Sequence, residues 1–264
     1  MLNRLSGTTR LFPIIGDPVI YAESPERLTR TLEMRGHDGI CVPMHVTAVD
    51  LDVVFSGLSA TANVDGILVT MPHKFTVFSR CATSSESARL LGAVSVLRRN
   101  PDRTWHGDML DGIAFVEAQK DRGAQIEGAK ALLVGAGGAG RAIAIALLDA
   151  GVSELMVHDT DESRVNAVLD VAEELGSDRV RKGSPDPTGF DLVFNATSLG
   201  MEEGDLLPID TTLLTSSMFV GDVIAGHGMT PLIRAARDAG CDTANGNDMV
   251  EAVQNLMVEF LTIP

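Results

Sequence analysis

The protein has 264 residues, of which 45% are apolar, enough to bury one large core or two ordinary ones. Its formal net charge of −15 excludes a broad basic surface, so nucleic acid and anionic membranes are not expected partners. No apolar run approaches the roughly 18 residues of a membrane helix, so we expect no membrane span.

The first half of the chain alternates short apolar runs with amphipathic segments, a pattern typical of strands covered by helices. In the segment that begins "SPER", Ser24 occupies the position of an N-cap, Pro25 lies in the first turn and Gly36 marks the end. The predicted strands are 10–16, 40–44, 66–71 and 90–99, and the predicted helices are 24–36, 50–60, 74–82 and 111–123.

The second half repeats this alternation and ends in a strongly periodic helix over 246–263. Two such halves joined by helix 111–123 predict an α/β protein of two domains with a cleft between them. The predicted strands are 132–134, 154–159, 191–196 and 218–224, and the predicted helices follow residue 137 and cover 161–176 and 230–240.

The second half opens with "ALLVGAGGAGRA", in which Gly135, Gly137 and Gly140 form a GxGxxG motif between a strand and a helix. Glycines there permit a tight turn and let the backbone approach a pyrophosphate at the helix N-terminus. We therefore predict a dinucleotide site that also includes Gly138 and Ala139. A glycine-rich packing turn without a ligand is the alternative.

Asp159 ends the strand that follows the glycine motif, 24 residues after Gly135. A carboxylate at this spacing accepts hydrogen bonds from ribose hydroxyls and repels a 2′-phosphate. The segment "HDTDES" has no arginine before Arg164 and contains three acids. The sequence therefore predicts NAD in preference to NADP.

Cysteine and histidine residues are sparse and do not form metal-binding spacings. The three cysteines contain no CxxC pair, and the six histidines contain no HxxxH or HExxH pair. We therefore expect no metal site. The cysteine usage and the lack of a signal-peptide apolar segment predict a cytoplasmic protein.

The stretch "GILVTMPHK", residues 66–74, reads as a buried strand that stops at Pro72. Lys74 then lies just beyond the carboxyl end of the strand, which is the edge where open α/β sheets bind ligands. A solvated lysine that opens the next helix is the alternative.

Seven segments, taken together and in order, resemble the shikimate dehydrogenase family over almost the whole chain. They are "IIGDPVIYAESP", "VTMPHK", "LGAVSVL", "GDMLDG", "GAGGAGRA", "FNATSLGM" and "GDVIAGHGMTPLI". The resemblance implies a substrate domain with a mixed sheet, residues 1–108 plus 244–264, and an NAD(P)-binding Rossmann domain, residues 109–243. It also implies a dehydrogenase of the shikimate pathway, which supplies aromatic amino acid biosynthesis. The family includes monomers and dimers, so a homodimer stays open.

The resemblance also implies roles for individual residues. Lys74 matches the lysine that handles the substrate hydroxyl proton during hydride transfer, and Asp111 matches its carboxylate partner. The residues expected to bind the small-molecule substrate are Ser24, Thr70, Ser95 and Gln254. Those expected to bind the cofactor, besides the glycine loop and Asp159, are Asn195, Ala196, Thr197 and Met201.

The predicted substrate pocket departs from the family pattern. Polar family residues are replaced by Ala22, Leu68, Ser95, Met109, Leu110 and Ala225, and the glutamine of the last helix matches either Val253 or Gln254. A buried hydroxyl without a partner costs about 1–3 kcal/mol, so several such losses predict poor activity on shikimate. We expect shikimate, quinate or a less hydroxylated ring alcohol as substrate. The alternatives are a sensor of NAD and a metabolite with catalysis lost, and a lysine-dependent folate dehydrogenase.

Overall fold

The computed structural model describes residues 5–20, 22–202, 204–226 and 228–263. Tyr21 and His227, which belong to two of the family-like segments, lie outside the described residues. The chain forms two compact units, Met1–Leu110 with Gln254–Pro264, and Asp111–Val253. The predicted α/β fold with two sheets is confirmed.

The first unit is built on a mixed six-stranded sheet in the order β2-β1-β3-β5-β6-β4. Strands β1, β2 and β3 run parallel, whereas β5 is antiparallel to both of its neighbours, β3 and β6. Its strands are β1 (Arg10–Gly16), β2 (Gly39–His45), β3 (Gly66–Val69), β4 (Thr83–Ser84), β5 (Val96–Arg99) and β6 (Trp105–Asp108). Its helices are α1 (Ser24–Met34), α2 (Leu51–Ala60), α3 (Lys74–Phe78) and α4 (Glu86–Leu91).

The second unit is built on a wholly parallel six-stranded sheet in the order β12-β11-β10-β7-β8-β9, the strand order of a Rossmann fold. Its strands are β7 (Lys130–Val134), β8 (Glu154–His158), β9 (Val180–Lys182), β10 (Leu192–Asn195), β11 (Phe219–Asp222) and β12 (Asp242–Ala244). Its helices are α5 (Asp111–Asp121), α6 (Gly138–Asp149), α7 (Glu162–Glu174) and α8 (Pro231–Asp238), with a 3-10 turn at Thr211–Leu213. Helix α9 (Gly246–Leu261) ends the fold, and its residues from Gln254 onward belong to the first unit.

The parallel sheet is apolar on both faces, as expected for a sheet covered by helices on both sides. In β7, Leu132 and Leu133 are both fully buried and belong to different core clusters. Phe115 of α5 packs edge-on against Phe194 of β10, with the ring centroids 5.2 Å apart. This packing fixes the strand ends from which the glycine loop and the segment after β10 emerge.

Three local predictions for the first unit differ from the structure. Residues 90–99 do not form one strand, because Ser85 caps α4 by accepting a hydrogen bond from the Ala88 amide and Gly92 ends that helix at a φ of +61°. Ser24 is not the N-cap of α1; Glu23 occupies that position without a side-chain hydrogen bond. Helix α3 is also shorter than predicted and ends at Phe78.

Candidate active site

The glycine loop between β7 and α6 folds tightly against the segment that follows β10. Gly135 has a φ of +102°, and a Cβ there would lie 2.7 Å from the carbonyl carbon and oxygen of Ala196. A Cβ at Gly140 would lie 2.0 Å from the carbonyl oxygen of Gly135. Both positions therefore require glycine because any side chain would clash with the backbone. Gly135 also requires it because of its positive φ.

The middle of the same loop is open. A Cβ at Gly137 or Gly138 would meet no atom within 4 Å in the described chain. Gly137 is the N-cap of α6 and has no side chain to cap it, and Ala139 lies half-buried in the first turn. Because the first amides of a helix lack intrahelical acceptors and attract anions, this cradle fits a pyrophosphate group.

Asp159, at the end of β8, is tied to the glycine loop. One carboxylate oxygen accepts a hydrogen bond from the Ala136 amide at 2.8 Å, and the other accepts from the Asp161 amide at 2.9 Å. The Arg164 guanidinium lies 4.0 Å from Asp159 but its side chain is 57% exposed, so solvent screens this pair. The structure thus brings together the predicted acid and the predicted glycine loop.

The segment after β10 is held by a buried polar network. The Asn195 side-chain amide donates to Asp222 at 3.0 Å, and the Asn195 side-chain oxygen accepts from the Thr197 amide at 3.0 Å. Asp222 also accepts from the Thr230 hydroxyl at 2.7 Å, and Thr230 caps α8. Burial raises the pKa of Asp222 above its ordinary value, although these hydrogen bonds oppose the shift.

The sequence analysis gave no role to Asp222, although an aspartate within the apolar predicted strand 218–224 was a usable signal. The structure shows that it links the ends of β10 and β11 and so fixes Asn195 and Thr197 beside Gly135. Met201 follows this segment with its side chain 36% exposed, and its amide donates to the Ser198 carbonyl at 3.1 Å.

In the first unit, the structure pairs two of the predicted substrate residues. The side-chain amide of Gln254 donates to the Ser24 hydroxyl at 3.1 Å. The Gln254 side-chain oxygen is buried and has no hydrogen-bond partner among the described residues. Such an orphaned acceptor is suited to a hydroxyl donor from a ligand.

Thr70 and Ser95 follow β3 and precede β5, two neighbouring strands. The Val69 amide donates to the Ser95 carbonyl at 2.8 Å, which holds the two segments side by side. The Ser95 side chain is buried and its oxygen accepts from the Leu110 amide at 2.9 Å, so its own proton remains available for donation. Thr70 is half-buried.

Lys74 is the first residue of α3 and is half-buried. His73, immediately before it, is 1% exposed, and its Nε2 lies 2.6 Å from the Val46 carbonyl oxygen, to which it donates. This buried hydrogen bond anchors the start of α3 and thereby the backbone of Lys74, a role that the sequence alone did not predict.

Asp111 is the first residue of α5 in the second unit. A Cβ at the next residue, Gly112, would lie 2.1 Å from the carbonyl oxygen of Ala142 in α6. The two helices therefore touch at Gly112, and this contact places the start of α5 against the helix that begins at the glycine loop. The "DG" pair of the family-like segment thus has a packing reason for its glycine.

Three of the residues that replace polar family residues are apolar and buried. Leu68 in β3 is fully buried, and Met109 and Leu110 are each 5% exposed. The described residues contain no group of three histidine, cysteine or acidic side chains that could hold a metal ion. No helix in the described part of the chain is long and apolar enough to cross a membrane.

Comparison with known proteins gives consistent matches. Residues 14–97 match the family model described as the shikimate dehydrogenase substrate binding domain. The chain is 36% identical to the shikimate dehydrogenase (NADP(+)) of Rubrobacter xylanophilus over 94% of its length and 88% of the relative. It is 34% identical to that of Stenotrophomonas maltophilia K279a over 92% of its length and 87% of the relative. It is also similar to the crystal structure of Listeria monocytogenes shikimate 5-dehydrogenase in complex with shikimate and NAD, with a TM-score of 0.90 and 26% identity. The match covers 98% of this chain and 93% of the Listeria chain.

Proposed function

Because this chain belongs to the shikimate dehydrogenase family, we propose that it is a nicotinamide-dependent oxidoreductase that interconverts a ring secondary alcohol and its ketone. The observation that supports this most directly is the glycine loop. Its first and last glycines are required by the fold, whereas its central positions are open, as a dinucleotide needs. A bound nicotinamide would accept the hydride from the alcohol carbon.

In this proposal Lys74 and Asp111 handle the proton. The alcohol loses a hydride to the cofactor and a proton to a positioned base, and the neutral amine of Lys74 is that base. The Asp111 carboxylate orients the lysine and balances the ammonium charge that forms. His73 supports Lys74 through its buried hydrogen bond to the Val46 carbonyl, and Gly112 fixes the start of the helix that Asp111 opens.

We propose that the substrate ring has fewer hydroxyl groups than shikimate. Leu68, Met109 and Leu110 replace polar family residues and cannot pair with substrate hydroxyls. Ser95 already accepts a backbone hydrogen bond from Leu110, which leaves its proton and one lone pair for a substrate hydroxyl. The Gln254 oxygen and the Ser24 hydroxyl remain as polar groups for the part of the substrate that they reach.

The function is tested by following reduction of NAD and NADP with a panel of ring alcohols. We expect turnover with at least one alcohol, and kcat/KM for shikimate and quinate lower than for a less hydroxylated cyclohexanol or hydroxycyclohexene carboxylate. Each unmatched hydroxyl should lower kcat/KM by about fivefold to a hundredfold, the kinetic equivalent of about 1–3 kcal/mol. Absence of turnover with the whole panel would contradict the enzymatic assignment, whereas the highest kcat/KM with shikimate would contradict only the substrate class.

We propose NAD as the preferred nicotinamide cofactor. The names of the two curated relatives carry NADP(+), which favours the phosphorylated form, and the Listeria structure has NAD bound. The residues after β8 favour NAD. Asp159 is joined there by Asp161 and Glu162. Lys182 pairs with Glu162 at 2.5 Å, and Arg164 lies 3.5 Å from Asp161 and 4.0 Å from Asp159, so three acids stand against two cations and the net charge of the group is −1.

The cofactor proposal predicts a KM for NADP at least about tenfold above that for NAD, equivalent to about 1.4 kcal/mol. Thr160 is exposed beside Asp159, so Thr160→Arg adds a cation there without altering the core. We expect T160R to lower the KM for NADP several-fold, while the uncharged T160Q leaves both constants unchanged. A wild-type KM that is lower for NADP would refute the preference.

A further inference from the structure

The first unit has a cavity at the end of its sheet opposite to the end that Lys74 follows. Strand β1 begins there at Arg10, β3 begins at Gly66, and the antiparallel β5 ends at Arg99, whereas Lys74 follows the other end of β3. The cavity measures about 340 Å³, within the size range of small-molecule sites. It is lined by Arg10, Phe12, His37, Asp38, Arg98 and Leu261, among others.

Arg98 lines this cavity without a counterion. Among the described residues, no carboxylate pairs with it and no acceptor reaches its buried Nε. Its guanidinium carbon lies over the ring of Phe260, 5.3 Å from the centroid. The buried Nε–H of Arg98 has therefore lost water without gaining an acceptor, whereas its two terminal NH₂ groups are not among the buried donors that lack a partner.

The other charged groups around the cavity are already occupied. Arg10 forms a two-point ion pair with Asp65. Asp38 accepts hydrogen bonds from the hydroxyls of two threonines, both at 3.0 Å. Arg99 donates to four backbone carbonyl oxygens. Hydroxyls and carbonyls are neutral, so Asp38 and Arg99 keep their formal charges. The lining therefore carries three arginines against two carboxylates, a net charge of +1, and Arg98 is the arginine among them whose side chain forms no hydrogen bond within the described chain.

The positive charge of Arg98 affects the pKa of a neighbouring histidine, His106. His106 lies directly opposite Arg98 across β5 and β6, and its ring stacks on the other partner of Arg98, Phe260. Burial lowers the pKa of His106, the positive charge of Arg98 lowers it further, and Asp108 opposes the shift. An anion beside Arg98 would remove part of this depression.

We propose that this cavity is a binding site for a small organic anion, a carboxylate or a phosphate ester, whose charged group pairs with Arg98. The planar guanidinium matches either group through two parallel hydrogen bonds. His37, whose ring has no hydrogen-bond partner among the described residues, provides a second donor at the rim. The apolar side chains of Phe12, Leu261 and Ile263 line the cavity beside it and would contact the body of the ligand.

The test is a titration of the intact protein with benzoate and with inorganic phosphate at constant ionic strength, followed by NMR of the histidine rings. We expect saturable binding with a Kd at or below about 1 mM for at least one probe, and a rise in the pKa of His106 on saturation. Tighter binding of benzoate would identify a carboxylate ligand with an apolar body, and tighter binding of phosphate would identify a phosphate ester.

Three variants distinguish anion binding in this cavity from non-specific attraction of anions to positive charge on the surface. Arg98→Gln should weaken binding about tenfold or more and abolish the shift of His106, because it removes the charge and the fork of donors. Arg30→Gln, which removes an exposed arginine from α1, is the matched control and should bind like the wild type. His37→Gln should weaken binding moderately, and it provides the test of the site if R98Q does not fold. Non-saturable binding of both probes, or equal affinity in R98Q and R30Q, would overturn the proposal.

Discussion

Replacing Lys74 by methionine is expected to lower kcat by about 10²–10⁴-fold, the contribution typical of a positioned acid–base group. Methionine keeps the length of the side chain but cannot take the proton of the alcohol. Cofactor affinity should be unchanged, because the predicted cofactor residues all belong to the second unit. The measurements are the steady-state rate with the best ring alcohol of the panel and the Kd of the oxidised cofactor by calorimetry.

The control for this variant is Lys120→Met, which removes an exposed lysine paired only with Glu117 on the surface of α5. Its kcat should equal that of the wild type. If K74M retained full turnover, Lys74 would not be the base, and the catalytic pair with Asp111 would have to be abandoned. If the wild type bound both cofactor and alcohol without any turnover, the sensor interpretation would replace the enzyme.

Much of the fold follows from patterns that are local in sequence. Short apolar runs such as those of β7, β8 and β10 became strands in the predicted places, because buried parallel strands have that composition. The prediction of a single strand over "LLGAVSVLRR" was wrong because an apolar run fits a buried helix end and a strand equally well. Its division depends on the cap at Ser85 and the left-handed Gly92, neither of which alters the apolar pattern.

The candidate site, too, was predictable from the sequence only in part. The glycine loop and Asp159 were predictable, since a turn of fixed geometry and a strand of fixed length determine their spacing. The hydrogen bond between Ser24 and Gln254 joins residues 230 positions apart, and no local rule yields it. Asp222 was missed for a related reason: its importance comes from three partners on different segments, which only the folded sheet brings together.

The second large effect is expected from single alanine substitutions within the glycine loop, which should separate folding from cofactor binding. Gly140→Ala forces a methyl group to 2.0 Å from the Gly135 carbonyl oxygen, a backbone atom that cannot move without opening the loop. Such overpacking costs about 1–3 kcal/mol of unfolding free energy and should also weaken cofactor binding. Gly137→Ala meets no atom of the described chain, so the stability cost that we expect is only that of alanine at the N-cap of α6, at most about 1 kcal/mol.

Gly137→Ala should nevertheless raise the cofactor Kd about tenfold or more, because its methyl group would occupy the space that the pyrophosphate needs. Gly57→Ala, at an open and exposed position in the middle of α2, controls for the helix preference of alanine and should bind cofactor normally. Thermal unfolding and calorimetric titration with NAD distinguish the three variants. Normal cofactor affinity in G137A would mean that the open centre of the loop is not where the dinucleotide binds, and the assignment of the loop would then be wrong even if G140A were destabilised.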